Sequence, residues 1–329
     1  LNRLSYKYNI TQLKHLILYY SNRMPFQSWQ HLSRKYAHPR DVHMRFHEPT
    51  HKYYVNGSCE GNISCTGFIH EFFGHFNPKE ALTKMRRNPT KWAASKYFGK
   101  TDEEIIKEWN DNGKTASEAG TAMHLAIEQF LHGAPEQIAP ETFNSIEWKY
   151  FMNFWSKCGP DLEPYRSEWE VFTDSITPVE GERKIKLCGS IDMVFRRKSD
   201  GKFVIYDWKR SKEIKANNPF SNGLPPLEHL EDTNYWHYTM QLNVYKWILE
   251  KYYGLEVADL YIVIIHPDNP SYRRMRLNIM ENEVEDMIEA RRRAVAAGCK
   301  VPVILPIPEV AEPLPEEKGK PLANFAFKF

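Results

Sequence analysis

Between Lys184 and Phe195 apolar residues alternate with polar ones and then crowd together (Ile185, Leu187, Ile191, Met193, Phe195), the pattern of a β-strand. A compact run follows from Lys202 to Trp208 (Phe203, Val204, Ile205, Tyr206), and Asp200-Gly201 separates the two runs as a hairpin turn would. In an antiparallel hairpin the end of the second strand returns beside the early part of the first. Asp207 therefore comes back towards Ile191 and Asp192, with the register left open. Helical spacing covers Asn112 to His132, residues 141–157, and Asn234 to Tyr253, where Met240, Val244, Trp247 and Ile248 share one face. Further strands are expected near residues 165–173, from Asp259 to His266 and from Tyr272 to Ile279, with a last helix from Glu281 to Ala297.

The first third of the chain is patterned differently. A helical stretch runs from Ile10 to Ser21, His51–Val55 and Gly61–Thr66 suggest a hairpin or small sheet, and helices follow from about Gly67 to Phe98. Thr101 with Glu104 three residues later has the form of a helix-capping box. These patterns divide the chain into a mostly helical N-terminal region (1–111), an α/β core (112–300) and a tail (301–329) that carries six prolines. The N-terminal region is a candidate lid or strand-threading arch, and the tail a candidate partner-docking segment. Asn217 to Leu230, with Pro219, Pro225 and Pro226, reads as a mobile loop beside the hairpin's end.

The chemistry gathers at that end. Asp192, Asp207 and Lys209 are two carboxylates and an amine that paired strands can bring together, and Asp207 and Lys209 project from one strand face. Two carboxylates can hold a divalent cation. An isolated Asp-x-Lys is more often an ordinary surface ion pair, which contributes little, so other motifs must bear on the reading. Two helices add to the cluster. His124 and Glu128 lie one turn apart on one face, as do Gln241 and Tyr245.

In order along the chain, Gly120-Thr121-x-x-His124, an acid on a strand, Gly189-x-x-Asp192, Asp207-Trp208-Lys209 and Gln241-x-x-x-Tyr245 resemble the RecB-like branch of the PD-(D/E)XK nucleases. That branch includes CRISPR-associated RecB-like exonucleases and a mitochondrial genome-maintenance exonuclease, and the Asp207–Ser211 tail is especially similar to the latter. The resemblance covers roughly residues 112–266 and extends faintly to Ser64-Cys65-Thr66. It implies a restriction-endonuclease-like α/β core with a mixed central sheet flanked by helices. It further implies that His124, Asp192, Asp207 and the Trp208 backbone carbonyl ligate metal. Lys209 would orient or activate the attacking water, and Gln241 and Tyr245 would steady the site or contact the DNA backbone. For the strand acid, the Glu-x-x-Val spacing favours Glu168, while a place next to Val171-Phe172 favours Glu170; Glu168 is the expected one.

Such a site answers a charge problem. Hydroxide must attack an anionic phosphodiester, and Mg²⁺ or Mn²⁺ would lower the pKa of bound water and clamp the developing oxyanions. A histidine ligand makes Mn²⁺ a plausible activator beside Mg²⁺. The net charge of +2 does not by itself announce a nucleic-acid binder. Basic clusters (Lys84–Arg87, Arg196–Lys198, Lys209–Lys212, Arg273–Arg276, Arg291–Arg293) flank both strands of the hairpin and suit a groove along a phosphate backbone. No apolar run approaches the roughly 20 residues of a membrane span.

Cys59, Cys65, Cys158, Cys188 and Cys299 are scattered without a C-x-x-C pair, as expected in a reducing intracellular compartment. Many CRISPR-associated relatives hold an iron–sulfur cluster with three cysteines after the Gln-x-x-x-Tyr helix. Only Cys299 follows it here, so no cluster is expected. The resulting expectation is a metal-dependent deoxyribonuclease of DNA repair or recombination, an exonuclease on single-stranded ends. The alternatives are a flap or branched-DNA endonuclease and an inactive nucleic-acid-binding module.

Overall fold

The computed structural model describes residues 30–74, 76–176 and 185–296. Its helices are α1 (His31–Lys35), α2 (Cys65–His70), α3 (Pro78–Arg86), α4 (Pro89–Ala93), α5 (Asp102–Leu131), α6 (Ile146–Cys158), α7 (Asn234–Tyr252) and α8 (Glu281–Ala296). Its strands are β1 (Met44–His47), β2 (Lys52–Val55), β3 (Asn62–Ser64), β4 (Leu162–Phe172), β5 (Lys186–Arg197), β6 (Phe203–Lys209), β7 (Val257–Ile264) and β8 (Arg273–Arg276). The helix expected at Ile10–Ser21 and the proline-rich tail lie outside the described residues.

The β5–β6 hairpin is antiparallel, with Arg196 opposite Phe203 and Met193 opposite Tyr206. Gly201 turns the chain at φ +74°, where a side chain would be strained. β7 adds parallel to β6, β8 closes that edge antiparallel to β7, and β4 runs antiparallel along the other side of β5. The result is a mixed sheet buried on both faces. Ile205, Leu260, Ile262 and Ile264 face α2, α7 and α8. The alternate positions Val204, Tyr206, Trp208, Tyr261 and Val263 face α5 and α6. Period-two geometry splits each run of apolar residues between two helical layers.

Long-range pairing departs from the sequence pattern in the first third of the chain. β2 pairs with β1, not with Gly61–Thr66, because the short Glu48–Thr50 turn brings Met44–His47 directly against it. β3 instead joins the central sheet, parallel to the start of β5. Asn77-Pro78 and Asn88-Pro89 each begin a new helix, with the asparagine side chain accepting backbone N–H groups. The Thr101–Glu104 capping box forms as expected. It starts a single 30-residue helix of about 45 Å, where the sequence pattern places a helix start near residue 112. From Trp109 to Ala122 this helix has no buried residue. It joins a small apolar knot around Leu82 and Ile105 to the core, which it enters at Met123.

α7 is enclosed all round. Thr239 to Leu249 are all buried, since α2 and α8 cover the sides away from the sheet, and the expected single apolar face is too narrow a description. The 217–230 loop, expected as mobile, packs inward with Leu227 fully buried and Leu224 N donating to Phe72 O (2.7 Å). Most of the expected basic clusters are ion-paired within the fold. Arg197 and Arg276 meet Asp259, Arg210 meets Glu147, Lys212 meets Asp268, and Arg291 meets Glu71.

Candidate active site

The site lies where the sheet splits. Beyond Met193↔Tyr206, β5 and β6 diverge, and Asp192 reaches across the gap to accept the Trp208 N–H through Oδ2 (2.9 Å). β6 continues beside β7 alone as far as Lys209. Trp208 is fixed by its indole, which packs edge-on against Phe151 and Phe154. Its backbone carbonyl then accepts from Nε2 of His124 at 2.7 Å, which sets that nitrogen as the protonated one and turns Nδ1 to the opposite side.

There Nδ1 meets two carboxylates, Asp192 Oδ2 at 3.6 Å and Glu168 Oε1 at 3.9 Å. The ligating atoms of His124, Glu168 and Asp192 lie within 4.8 Å of one another. Ligand atoms about 2.1 Å from a Mg²⁺-sized ion stand roughly 3 Å apart side by side and about 4 Å apart across it. The donor set therefore fits a small divalent cation. The Trp208 carbonyl, expected in the metal shell, here accepts from His124 Nε2 and orients the histidine from behind, as the outer partners of metal-bound histidines do.

Asp207 and Lys209 sit on one face at the end of β6. Lys209 Nζ donates to Asp207 Oδ1 at 2.9 Å and lies 2.7 Å from Oδ2, so the buried carboxylate is ion-paired through both oxygens. The ring of Tyr238, in the first turns of α7, covers the ammonium at 4.7 Å. Burial disfavours charge on Lys209, but Asp207 and Asp192 outweigh it and hold the amine above the usual lysine range. Burial and the charge of Asp192 push Asp207 up to about 6, against the pull of Lys209. Burial likewise opposes the imidazolium of His124, yet Asp192 and Glu168 raise it to about 9.

The two candidate strand acids part company. Ser167 faces Met193 and Trp169 faces Ile191 across β4 and β5, which sets Glu168 opposite Asp192. Glu170, opposite Ser190, turns to the β1–β2 hairpin and accepts the Phe46 N–H (3.1 Å). Burial pushes Glu170 up to about 7. A carboxylate with a raised folded pKa stabilises the fold below its unfolded value and loses that contribution as pH rises through the folded one. Glu170→Gln keeps an acceptor for Phe46 without the charge. In EDTA, its melting temperature is expected to pull ahead of the wild type between pH 5 and pH 8, by the equivalent of about 3 kcal/mol at most. A constant difference across that range would contradict the buried-acid reading.

Gln241 and Tyr245 are buried beneath the site. Gln241 Nε2 donates to Thr66 Oγ1 (3.2 Å) and to the Tyr245 hydroxyl (3.4 Å), tying α7 to the start of α2. The Tyr245 ring lies against Gly189, where an added Cβ would fall 2.7 Å from ring carbon Cε1 and from the hydroxyl oxygen. Gly189→Ala is therefore expected to destabilise the fold by about 1–3 kcal/mol in a urea melt. An unchanged midpoint would mean that the ring yields freely. By contrast, a Cβ at Gly120 would meet open space.

Periodicity did not single out Tyr238 or Ser190, whose hydroxyl donates to Glu168 Oε2 at 3.0 Å. The aromatic two turns before Gln241's partner Tyr245, and the serine inside Gly189-x-x-Asp192, were the only signals available. Glu128, one helical turn from His124, lies half-buried against β4, where Ser167 donates to it at 3.1 Å.

The model of the PD-(D/E)XK nuclease superfamily matches residues 80–309, well over half of the chain, and the protein belongs to that superfamily of metal-dependent nucleases. Its mixed sheet flanked by helices is the fold of the superfamily. No curated protein matches the sequence significantly. Among solved structures, the chain is similar to one titled "Crystal structure of SSO0001", at 18% identity over 70% of this chain and 77% of that one, with a TM-score of 0.29. That likeness is too distant to carry an argument. Among the described residues no helix is long and apolar enough to cross a membrane.

Proposed function

We propose that this protein is a DNA exonuclease of the RecB-like branch that hydrolyses phosphodiesters at single-stranded ends with Mg²⁺ or Mn²⁺. The observation that carries the metal-dependent reading is the convergence of His124, Glu168 and Asp192 beside the Asp207–Lys209 pair at the split of the sheet. The RecB-like assignment and the preference for single-stranded ends rest on the order of the sequence motifs. DNA repair or recombination, inside a reducing compartment, is the corresponding setting.

His124 Nδ1, Glu168, Asp192 and a carboxylate oxygen of Asp207 would hold the metal, with Lys209 paired to Asp207 beside it. When bound, it supplies a Lewis acid that acidifies water and neutralises charge on the phosphate. The chain's own residues do the rest. Asp192 also braces the Trp208 backbone, Trp208 fixes the His124 tautomer, and Lys209 would present a positive charge to the phosphate from beside Asp207. Tyr238 and Asp207 prevent that amine from swinging away. Gln241 and Tyr245 hold β5 and α7 in register beneath it. Neutral His124 is needed for ligation, so Mn²⁺ affinity should tighten as pH rises from 6 to 9.

Digestion of end-labelled linear single-stranded DNA beside a closed circle of the same sequence separates the readings. Loss of the linear strand alone supports exonuclease action. Cleavage of the circle makes the protein an endonuclease, and binding without cleavage under either metal leaves a nucleic-acid-binding module.

A further inference from the structure

Glu168 occupies a conformation that its position in a strand does not explain. Its φ is +40°, in the left-handed region that a bulky residue enters at a cost of about 1–3 kcal/mol. Yet it lies inside β4, between Ser167 and Trp169, which keep their pairing with β5. Something must hold the kink in place, and two side-chain networks do so.

On one side, the hydrogen bonds of Ser167 run in a single direction. Leu32 N–H donates to His132 Nδ1 (3.3 Å), so Nε2 carries the proton and donates to Ser167 Oγ (2.8 Å). The Ser167 hydroxyl then has its own proton free for Glu128 Oε1 (3.1 Å). On the other side, Trp169 Nε1 donates to Asp41 Oδ1 (2.9 Å), and Arg166 grips the second oxygen of the same carboxylate (2.7 Å). Residues 166, 167 and 169 are thereby pinned to α5 and to the segment after α1, and the kink at Glu168 cannot relax.

The carboxylate itself is held by one further group. Ser190 Oγ donates to Glu168 Oε2 at 3.0 Å, which leaves Oε1 turned to His124 Nδ1. Without that bond only the 3.9 Å approach to His124 would keep the Glu168 side chain, 39% exposed, from swinging into solvent. We infer that Ser190 is a positioning residue of the metal site, presetting the Glu168 carboxylate on a clamped, left-handed kink so that one oxygen faces the His124–Asp192 pair. This rests on the reading of Glu168 as a metal ligand, and the test separates the two.

Mn²⁺ binding to the metal-free full chain, without DNA, is read from the electron paramagnetic resonance signal of free Mn²⁺. Melting temperature in EDTA serves as the control for folding. Ser190→Ala is expected to weaken binding about tenfold, the scale seen when an outer partner of a metal ligand is removed, with the melting temperature unchanged. Ser190→Thr, which keeps a hydroxyl on a strand-compatible side chain, should bind within about twofold of the wild type. Glu168→Gln and Asp192→Asn are the references. If Glu168→Gln weakens binding but Ser190→Ala does not, the positioning role is overturned and the ligand reading stands. Equal weakening in Ser190→Ala and Ser190→Thr also overturns it, because the hydroxyl is then not the cause. Wild-type binding in both reference variants would overturn the ligand reading and this inference together.

Discussion

Asp192→Asn is expected to lower DNA cleavage by on the order of 10³-fold, the scale lost when a group aimed at reacting charge is removed, and to weaken Mn²⁺ binding along with it. The substitution is conservative for the fold. An asparagine oxygen can still accept the Trp208 N–H that Asp192 holds at 2.9 Å, so β5 and β6 stay braced across the split. What disappears is the charge. Asp192 is the carboxylate nearest to His124 Nδ1 and the largest influence keeping that imidazole protonated above its ordinary range. The variant should therefore show a lowered His124 pKa, visible by NMR, alongside the loss of metal affinity. Retained cleavage in a folded Asp192→Asn protein would remove this site from the chemistry.

Lys209→Ala should produce a different signature. In the proposed site Lys209 would contribute charge to the attack on phosphate without ligating metal, so kcat is expected to fall by about 10²- to 10³-fold while Mn²⁺ affinity is kept or improved. Removing the amine leaves Asp207 as a buried carboxylate without its partner. Breaking a buried pair commonly costs about 3–5 kcal/mol. The loss here should be smaller at low pH, because Asp207, pushed up to about 6 even with Lys209 pulling it down, rises further without the amine and takes a proton. Bound metal should offset it at higher pH by supplying the missing positive charge. Stopped single-turnover cleavage and a metal titration on the same preparation check both parts. A parallel loss of metal affinity and rate would instead make Lys209 a structural support of the ligands.

Much of this site could be read from local pattern. The Asp200-Gly201 turn and the apolar runs around it bring Asp192 back beside Asp207 and Trp208, because a hairpin's geometry is set by its own turn. The helical spacing of His124 and Glu128, and of Gln241 and Tyr245, survives for the same reason. What escaped depends on distant parts of the chain. β3 pairs with β5 across more than a hundred residues, and a three-residue strand has no periodicity to announce a partner. Glu168 and Glu170 share a face in an ideal strand, and only the φ of +40° at Glu168 and the approach of Phe46 to Glu170 send them to different tasks. The basic clusters look like a phosphate track in one dimension, but folding brings Asp259, Glu147 and Asp268 against them.

The most direct measurement is cleavage of a short end-labelled single-stranded DNA by the purified full chain, with Mg²⁺, with Mn²⁺ and with EDTA. Strand shortening with either metal, absent in EDTA and absent in Asp192→Asn, is the result that the geometry at the sheet split predicts. An intact substrate under both metals, or shortening that persists in EDTA, would contradict a metal-dependent nuclease centred on His124, Glu168, Asp192, Asp207 and Lys209.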